Sequence, residues 1–144
     1  MGFSQIHGVD ASQGMLNGAA EKNVYRQLDK LFLGSPSTFP KDLHNRFDFI
    51  SASGILADNH LDNSVFEEML LALKVGGIAT FTSRVEYLET YGYGAYMEML
   101  EKSGKWEFVD KVEYTKYDKL KGEVGQHFGR FKPTVSQVFA YRKL

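Results

Sequence analysis

Asp10 is the first residue along the chain whose type and position could hold chemistry. It ends the short apolar run Ile6-His7-Gly8-Val9, and two residues later comes Ser12. Ser12 is a good helix N-cap, and Met15, Leu16, Ala19 and Ala20 follow it at helical spacing, so the acid falls at the carboxyl edge of a strand beside a helix N-terminus. Open α/β sheets bind ligands at that edge. An acid there can accept hydrogen bonds from ribose hydroxyls while the first backbone donors of the helix approach the rest of a nucleoside. It can equally do no more than cap the helix and offset its dipole. Both readings stand on this stretch alone.

A second candidate region is Ser53-Gly54-Ile55-Leu56-Ala57-Asp58-Asn59-His60-Leu61, which leaves the apolar strand Phe47 to Ala52 at its carboxyl edge, on the same side as Asp10. Asp58 and His60 in it are either reactive groups or members of a solvated loop. Arg84 follows a third strand at that same edge and either pairs with a carboxylate or is simply solvated. The four histidines, His7, His44, His60 and His127, have no ligand-like spacing, and no triad or metal cluster is visible. His7, inside the first strand, reads as a packed or edge histidine.

The elements that must position these groups alternate strand and helix. The helix after Ser12 runs to about Lys22, and Asn23 ends it. Val24 to Leu28 reads as a connection and Asp29 to Leu33 as the next strand, stopped by Gly34-Ser35-Pro36. Ser35 to Arg46 is a loop with one helical turn after Pro40. The strand Phe47 to Ala52 lacks strict alternation, which suits a central strand covered on both faces. Ser64-Val65-Phe66-Glu67 reads as a capping box opening a helix with Phe66, Met69, Leu70 and Leu73 on one face. Gly76-Gly77 stops it, and Ile78 to Ser83 is a strand. Glu86 to Ser103 reads as one helix ended by Gly104. Trp106 to Tyr117 and Val135 to Tyr141 form an antiparallel pair. Between them, Lys119, Lys121, Arg130 and Lys132 stand with Phe128 and Phe131, a mixture that can bind single-stranded nucleic acid. Asp118 and Glu123 interrupt the charge, which makes nucleic acid the weakest of the partner readings and a solvated hairpin tip the simpler one.

Several of these segments carry a family resemblance. Gly8-Val9-Asp10-Ala11-Ser12-x-x-Met15-Leu16 resembles the segment after the second strand of class I S-adenosylmethionine-dependent methyltransferases. Phe47 to Gly54 resembles that family's fourth strand, and Leu73-Lys74-Val75-Gly76-Gly77-Ile78 its turn into the fifth. Thr82-Ser83-Arg84 and Leu100-Glu101-x-x-Gly104-x-Trp106-Glu107 are most similar to the methyltransferase-like proteins of the Williams-Beuren region. The resemblance covers nearly the whole chain, but the family's first strand and its acidic-x-Gly-x-Gly turn have no counterpart ahead of Gly2-Phe3.

The resemblance implies an α/β, Rossmann-like sheet, mainly parallel with a C-terminal antiparallel hairpin and lacking the first βα unit. It implies S-adenosylmethionine as cofactor, with Asp10 at the ribose, Ala11, Ser12 and Met15 beside the adenosine, Gly34 and Ser35 near the adenine, and Ser53 and Gly54 near the methionine portion. Asp58, His60 and Arg84 would face the methyl acceptor, a small molecule or a protein. The family commonly has Gly-Asp where this chain has Gly34-Ser35, so a neutral hydroxyl replaces a charged acceptor. Methyl transfer mainly needs donor and acceptor held in line, so the missing triad is no obstacle. No catalytic base is assigned.

In that family the first strand lies between the strand ending at Asp10 and the one at Phe47. The fold expectation is therefore that these two strands either close directly on one another or leave a gap that a second chain fills. One sheet face should be under-covered, exposing Val9 and Ile50 and favouring self-association. The chain as given is expected to bind the cofactor weakly or not at all and to be inactive alone. The alternative is a catalytically silent methyltransferase-like module that binds a partner protein.

Composition sets the outer limits. The 144 residues suit one domain with a real core. Zero cysteines excludes disulfides, thiolate metal sites and cysteine nucleophiles, and suits a reducing compartment, cytoplasmic or nuclear. A net charge of −1 gives no nucleic-acid footprint. No apolar run approaches membrane-spanning length, the N-terminus does not read as a signal peptide, and Ile6 stands where a myristoylation motif wants Ser or Thr.

Overall fold

A computed structural model describes residues 2–57, 60–117 and 133–144. Asp58 and the basic and aromatic residues of the expected hairpin tip, 118–132, lie outside the described residues. The strands are β1 (His7–Asp10), β2 (Gln27–Lys30), β3 (Phe47–Leu56), β4 (Leu73–Arg84), β5 (Trp106–Lys116) and β6 (Thr134–Lys143). The α-helices are α1 (Gln13–Ala20), α2 (Ser64–Ala72), α3 (Val85–Thr90) and α4 (Tyr93–Lys102), with single tight turns at Pro36–Thr38 and Lys41–Leu43.

The strands form two sheets, one of β1 and β2 and one in the order β3-β4-β6-β5. The pairs β1–β2 and β3–β4 are parallel, while β6 is antiparallel to both β4 and β5. Among the described residues no ladder joins β1 to β3. Side chains span the interval instead. The His7 ring meets Phe47 edge-on at 5.5 Å, Phe3 stacks on Phe49 at 6.2 Å, and Arg46 Nη2 donates to Gln27 Oε1 at 3.1 Å. These contacts align the starts of β1, β2 and β3. The other ends align too, since Gly34 after β2 lies against Leu61 and Ser64 after β3.

Several boundaries differ from expectation, each for a local reason. The second strand begins at Gln27, not Asp29, because β1 fixes its register: His7 pairs with Gln27, and the last bond runs from Leu31 N–H to the Asp10 carbonyl at 3.1 Å. Phe32 and Leu33 therefore lie beyond the partner strand, and Phe32 is exposed. The capping box does not form. Ser64 is already helical, and its N–H and hydroxyl both donate to the Asp62 carboxylate, which these bonds hold below the usual carboxylate range. Helix α2 ends at Ala72, before the glycines, and the glycines shape the return to the sheet. Gly76 takes φ 80°, and a Cβ on Gly77 would sit 2.9 Å from the Lys74 carbonyl oxygen and 3.1 Å from that of Asp48. The single helix expected from Glu86 to Ser103 is split into α3 and α4 at Gly92, with φ 70°.

The core lies on one face of the four-stranded sheet. Ala79, Phe81, Phe139 and Tyr141 point from it toward α2 and α4, where Phe66, Met69, Tyr93, Met97 and Leu100 meet them around Trp106. The Trp106 indole N–H donates to the Met97 carbonyl at 3.1 Å, so its one polar atom is satisfied inside the core. The opposite face is open, so β3 is not covered on both sides as its sequence suggests. Val9 is exposed as expected, but Ile50 is not: its register with Ala79 turns it toward the core. Phe49 takes the open position, 45% exposed beside Ile78, and Val112 is exposed on the same face.

Candidate functional site

Asp10 sits where its sequence context puts it, at the end of β1 one turn before α1. Its Oδ1 accepts the Ser12 N–H at 2.7 Å, and Ser12 Oγ accepts the Met15 N–H at 3.3 Å. These two bonds fix the strand-to-helix turn and satisfy one of the orphan donors of α1. A carboxylate has about four lone-pair positions, so Asp10 keeps capacity for hydroxyl donors. Met15 is 65% exposed beside it, an apolar surface that a flat ring could cover. On this edge the residues fit a nucleoside.

The loop after β2 is arranged differently. Gly34 N–H and Ser35 N–H both donate to the Glu68 carboxylate, at 2.7 and 2.9 Å, and Glu68 is buried. The two amides of the expected adenine segment are therefore spent on a helix side chain. Glu68 pins this loop to α2, and Gly34 provides the turn with φ 105°. Replacing Glu68→Gln leaves one of the two amides facing an NH2 group. The expected loss is about 1–3 kcal/mol, read from the urea midpoint at unchanged slope.

Past Ala52 the regular ladder of β3 breaks, and Gly54 takes φ 76°. The Gly54 N–H donates to Thr82 Oγ1 at 3.1 Å, and Ser53 Oγ lies 3.4 Å from the same oxygen. Thr82 thus ties the end of β3 to β4. Further on, the Tyr93 hydroxyl donates to the Leu61 carbonyl at 2.7 Å, and burial pushes that phenol's pKa up.

These ties hold open a crevice of about 210 Å³ at the carboxyl ends of β3 and β4, lined by Gly54, His60, Thr82, Arg84, Tyr87 and Lys116 among others. Arg84 Nη1 pairs with Glu86 at 3.2 Å, and its guanidinium lies 5.1 Å from the Tyr87 ring centre. Three of the residues expected at this end, Gly54, His60 and Arg84, are therefore brought together. Asp10, Gly34 and Ser35 are not among the residues that line the crevice. His7 is a packed histidine, its Nε2 2.8 Å from Asp29 Oδ2. Thr82, Tyr87, Tyr114, Lys116, Tyr117 and Ser136 were missed from sequence. Arg84 pairs with Ser136, which pairs with Tyr114. Only the register of two antiparallel ladders brings such distant residues into one row.

No protein-family model matches the chain. A human relative, methyltransferase-like protein 27, is 33% identical over 112 residues, a match covering 74% of this chain and 43% of the relative. The chain thus spans less than half of that relative's length. Among solved structures, the N-methyltransferase NodS from Bradyrhizobium japonicum in complex with S-adenosyl-L-homocysteine is similar with a TM-score of 0.64 at 14% identity, over 96% of this chain and 66% of that one. A SAM-dependent methyltransferase from Methanosarcina mazei is similar at 0.63 and 11%, over 97% of this chain and 82% of its own. The two sheets β1-β2 and β3-β4-β6-β5, the acid at the end of β1 and these likenesses lead to one assignment: the chain has the Rossmann-like fold of class I methyltransferases and is a sequence relative of methyltransferase-like protein 27.

Proposed function

We propose that this chain forms the larger part of a methyltransferase domain that binds S-adenosylmethionine along the carboxyl edges of its strands. Bound there, the cofactor supplies an electrophilic methyl group on a sulfonium. Asp10 accepts the ribose hydroxyls, Ala11, Ser12 and Met15 border the adenosine, and Ser53 and Gly54 border the methionine portion. Gly34 and Ser35 shape the adenine end through their backbone, held by Glu68. His60 and Arg84 face the acceptor, a small molecule or a protein. The observation that carries this reading is the Asp10 turn, an acid fixed by Ser12 at the end of a parallel strand. Adding S-adenosylhomocysteine to isotope-labelled protein is expected to shift the amide signals of Asp10 to Met15 and of Ser53 and Gly54. The same shifts are expected at lower ligand concentration in a longer chain that places a strand and glycine turn between β1 and β3, and unmoved signals there at saturating ligand would sink it.

On its own the 144-residue chain is proposed to be inactive. The second reading, a catalytically silent interaction module, draws support from the open sheet face, where Phe49 and Val112 are exposed. Self-association through that face is the expected consequence. Light scattering should give a mass that rises with concentration, and Phe49→Ser should lower it. A monodisperse monomer at high concentration counts against the interaction reading and leaves the enzyme reading intact. Among the described residues, no helix is long and apolar enough to cross a membrane.

A further inference from the structure

We infer that the crevice at the ends of β3 and β4 receives a small aromatic acid, its ring among Tyr87, Tyr114 and Tyr117 and its carboxylate between Arg84 and Lys116. This rests on the reading of that crevice as the acceptor side of a methyltransferase. Size is the first argument. A volume of about 210 Å³ falls below the roughly 300–1,000 Å³ of drug-sized sites, so the occupant is a single substituted ring rather than a large scaffold.

Charge and shape supply the second argument. Arg84, Ser136 and Tyr114 stand opposite one another across β4, β6 and β5, and directly opposed residues share a sheet face. Lys116 lies two residues beyond Tyr114 on the same side of β5. The row therefore presents a cation, a hydroxyl, an aromatic ring and a second cation in sequence. Lys116 Nζ lies 5.0 Å from the Tyr117 ring centre, and the Arg84 guanidinium lies 5.1 Å from that of Tyr87. Each cation thus sits against an aromatic ring, the arrangement that binds a flat anion by its edge charge and its face together. Among the described residues, Glu86 is the carboxylate paired with Arg84. Its pair with Arg84 uses Nη1 alone, one of a guanidinium's several donors, and its side chain is 57% exposed. Exposed pairs of this kind are weak, so a ligand carboxylate can share or displace it.

The third argument is an unsatisfied group. Ser136 is 2% exposed and lines the crevice, and its Oγ has no hydrogen-bond partner among the described residues. Buried hydroxyls are ordinarily paired, so a polar ligand atom completes this one. Tyr117 adds a fourth observation. It holds a left-handed backbone conformation, φ 67°, which a bulky residue adopts only when its surroundings impose it, and such strain gathers at ligand clamps.

The test is an amide-shift titration of the 144-residue chain with 4-hydroxybenzoate, its neutral amide 4-hydroxybenzamide, and acetate. The expected result is that 4-hydroxybenzoate moves the signals around Arg84 and Ser136, and binds about tenfold or more tighter than either control. Arg84→Gln and Lys116→Gln should each weaken it about fivefold or more at an unchanged circular dichroism spectrum. Lys74→Gln, whose partner is Asp48 outside the crevice, should leave it unchanged. Equal binding of the amide removes the role of charge, equal binding of acetate removes the role of the ring, and either overturns the inference. S-adenosylhomocysteine is titrated separately and read at Asp10 to Met15. Shifts there with no 4-hydroxybenzoate binding overturn the acceptor class alone. 4-Hydroxybenzoate binding without those shifts, even in a longer chain that places a strand and glycine turn between β1 and β3, keeps the crevice and overturns methyl transfer.

Discussion

S-adenosylhomocysteine titrated calorimetrically into the 144-residue chain is expected to bind with a dissociation constant no tighter than about 1 mM, which corresponds to only about 4 kcal/mol. The reason is visible in the hydrogen bonds the loops already make. The amides of Gly34 and Ser35 are engaged by Glu68, and the amide of Gly54 by Thr82, so three backbone donors at the expected cofactor edge have partners within the protein. A ligand must exchange for those bonds instead of adding to them. Asp10 is different, because its Oδ1 bond to Ser12 leaves further lone pairs available. A longer chain that places a strand and glycine turn in the interval between β1 and β3 adds backbone donors close to the ligand. Three such bonds, at about 0.5–1.5 kcal/mol each, strengthen binding roughly 10- to 2,000-fold. In that longer protein Asp10→Ala removes hydrogen bonds to a charged group worth about 1.5–3 kcal/mol, a loss of roughly 10- to 150-fold. Micromolar affinity with unit stoichiometry for the 144-residue chain would refute the argument from engaged amides.

Much of the arrangement that produces this expectation was legible in the residues, and the exceptions have physical causes. Asp10, Ser12 and Met15 could be read because strand, acid and cap are neighbours in sequence and their hydrogen bonds span two or three residues. The same locality located the tight turn after Pro40 and the stop at Gly104. Ile50 and Phe49 could not be sorted, because an apolar run without alternation does not say which face is inward. Pairing with Ala79 and Ile78 decides it. Glu68 was hidden for a similar reason. In sequence it is a polar residue on an apolar helix, and only the approach of Gly34 from more than thirty residues away makes its burial tolerable. The crevice was the least legible part. Its far wall comes from β5 and β6, and a one-residue slip in either ladder would turn Ser136 and Tyr114 away from it.

Phe66→Ala is expected to lower the stability of the isolated chain by about 3–5 kcal/mol, the largest effect of any single truncation proposed. Phe66 is 0% exposed and joins every layer of the core. Its ring centre lies 5.2 Å from Phe81 on the sheet, 5.6 Å from Trp106 at the start of β5, and 6.2 Å from both Tyr93 and Tyr96 on α4. Removing it takes away its own burial and leaves a cavity whose walls are rings. Rings are rigid, and Trp106 is further fixed by its bond to the Met97 carbonyl, so they cannot collapse to fill the space as flexible side chains can. Domains of this size are stable by only about 5–15 kcal/mol in total. The variant should therefore melt roughly 6–20 °C lower. Phe49→Ala is the internal control, because the same deletion on the open face removes a ring that is already 45% exposed and should cost about 1 kcal/mol or less. Urea midpoints for the two variants measure the difference directly. If Phe66→Ala costs no more than Phe49→Ala, the core does not lie between α2, α4 and the covered face of the sheet.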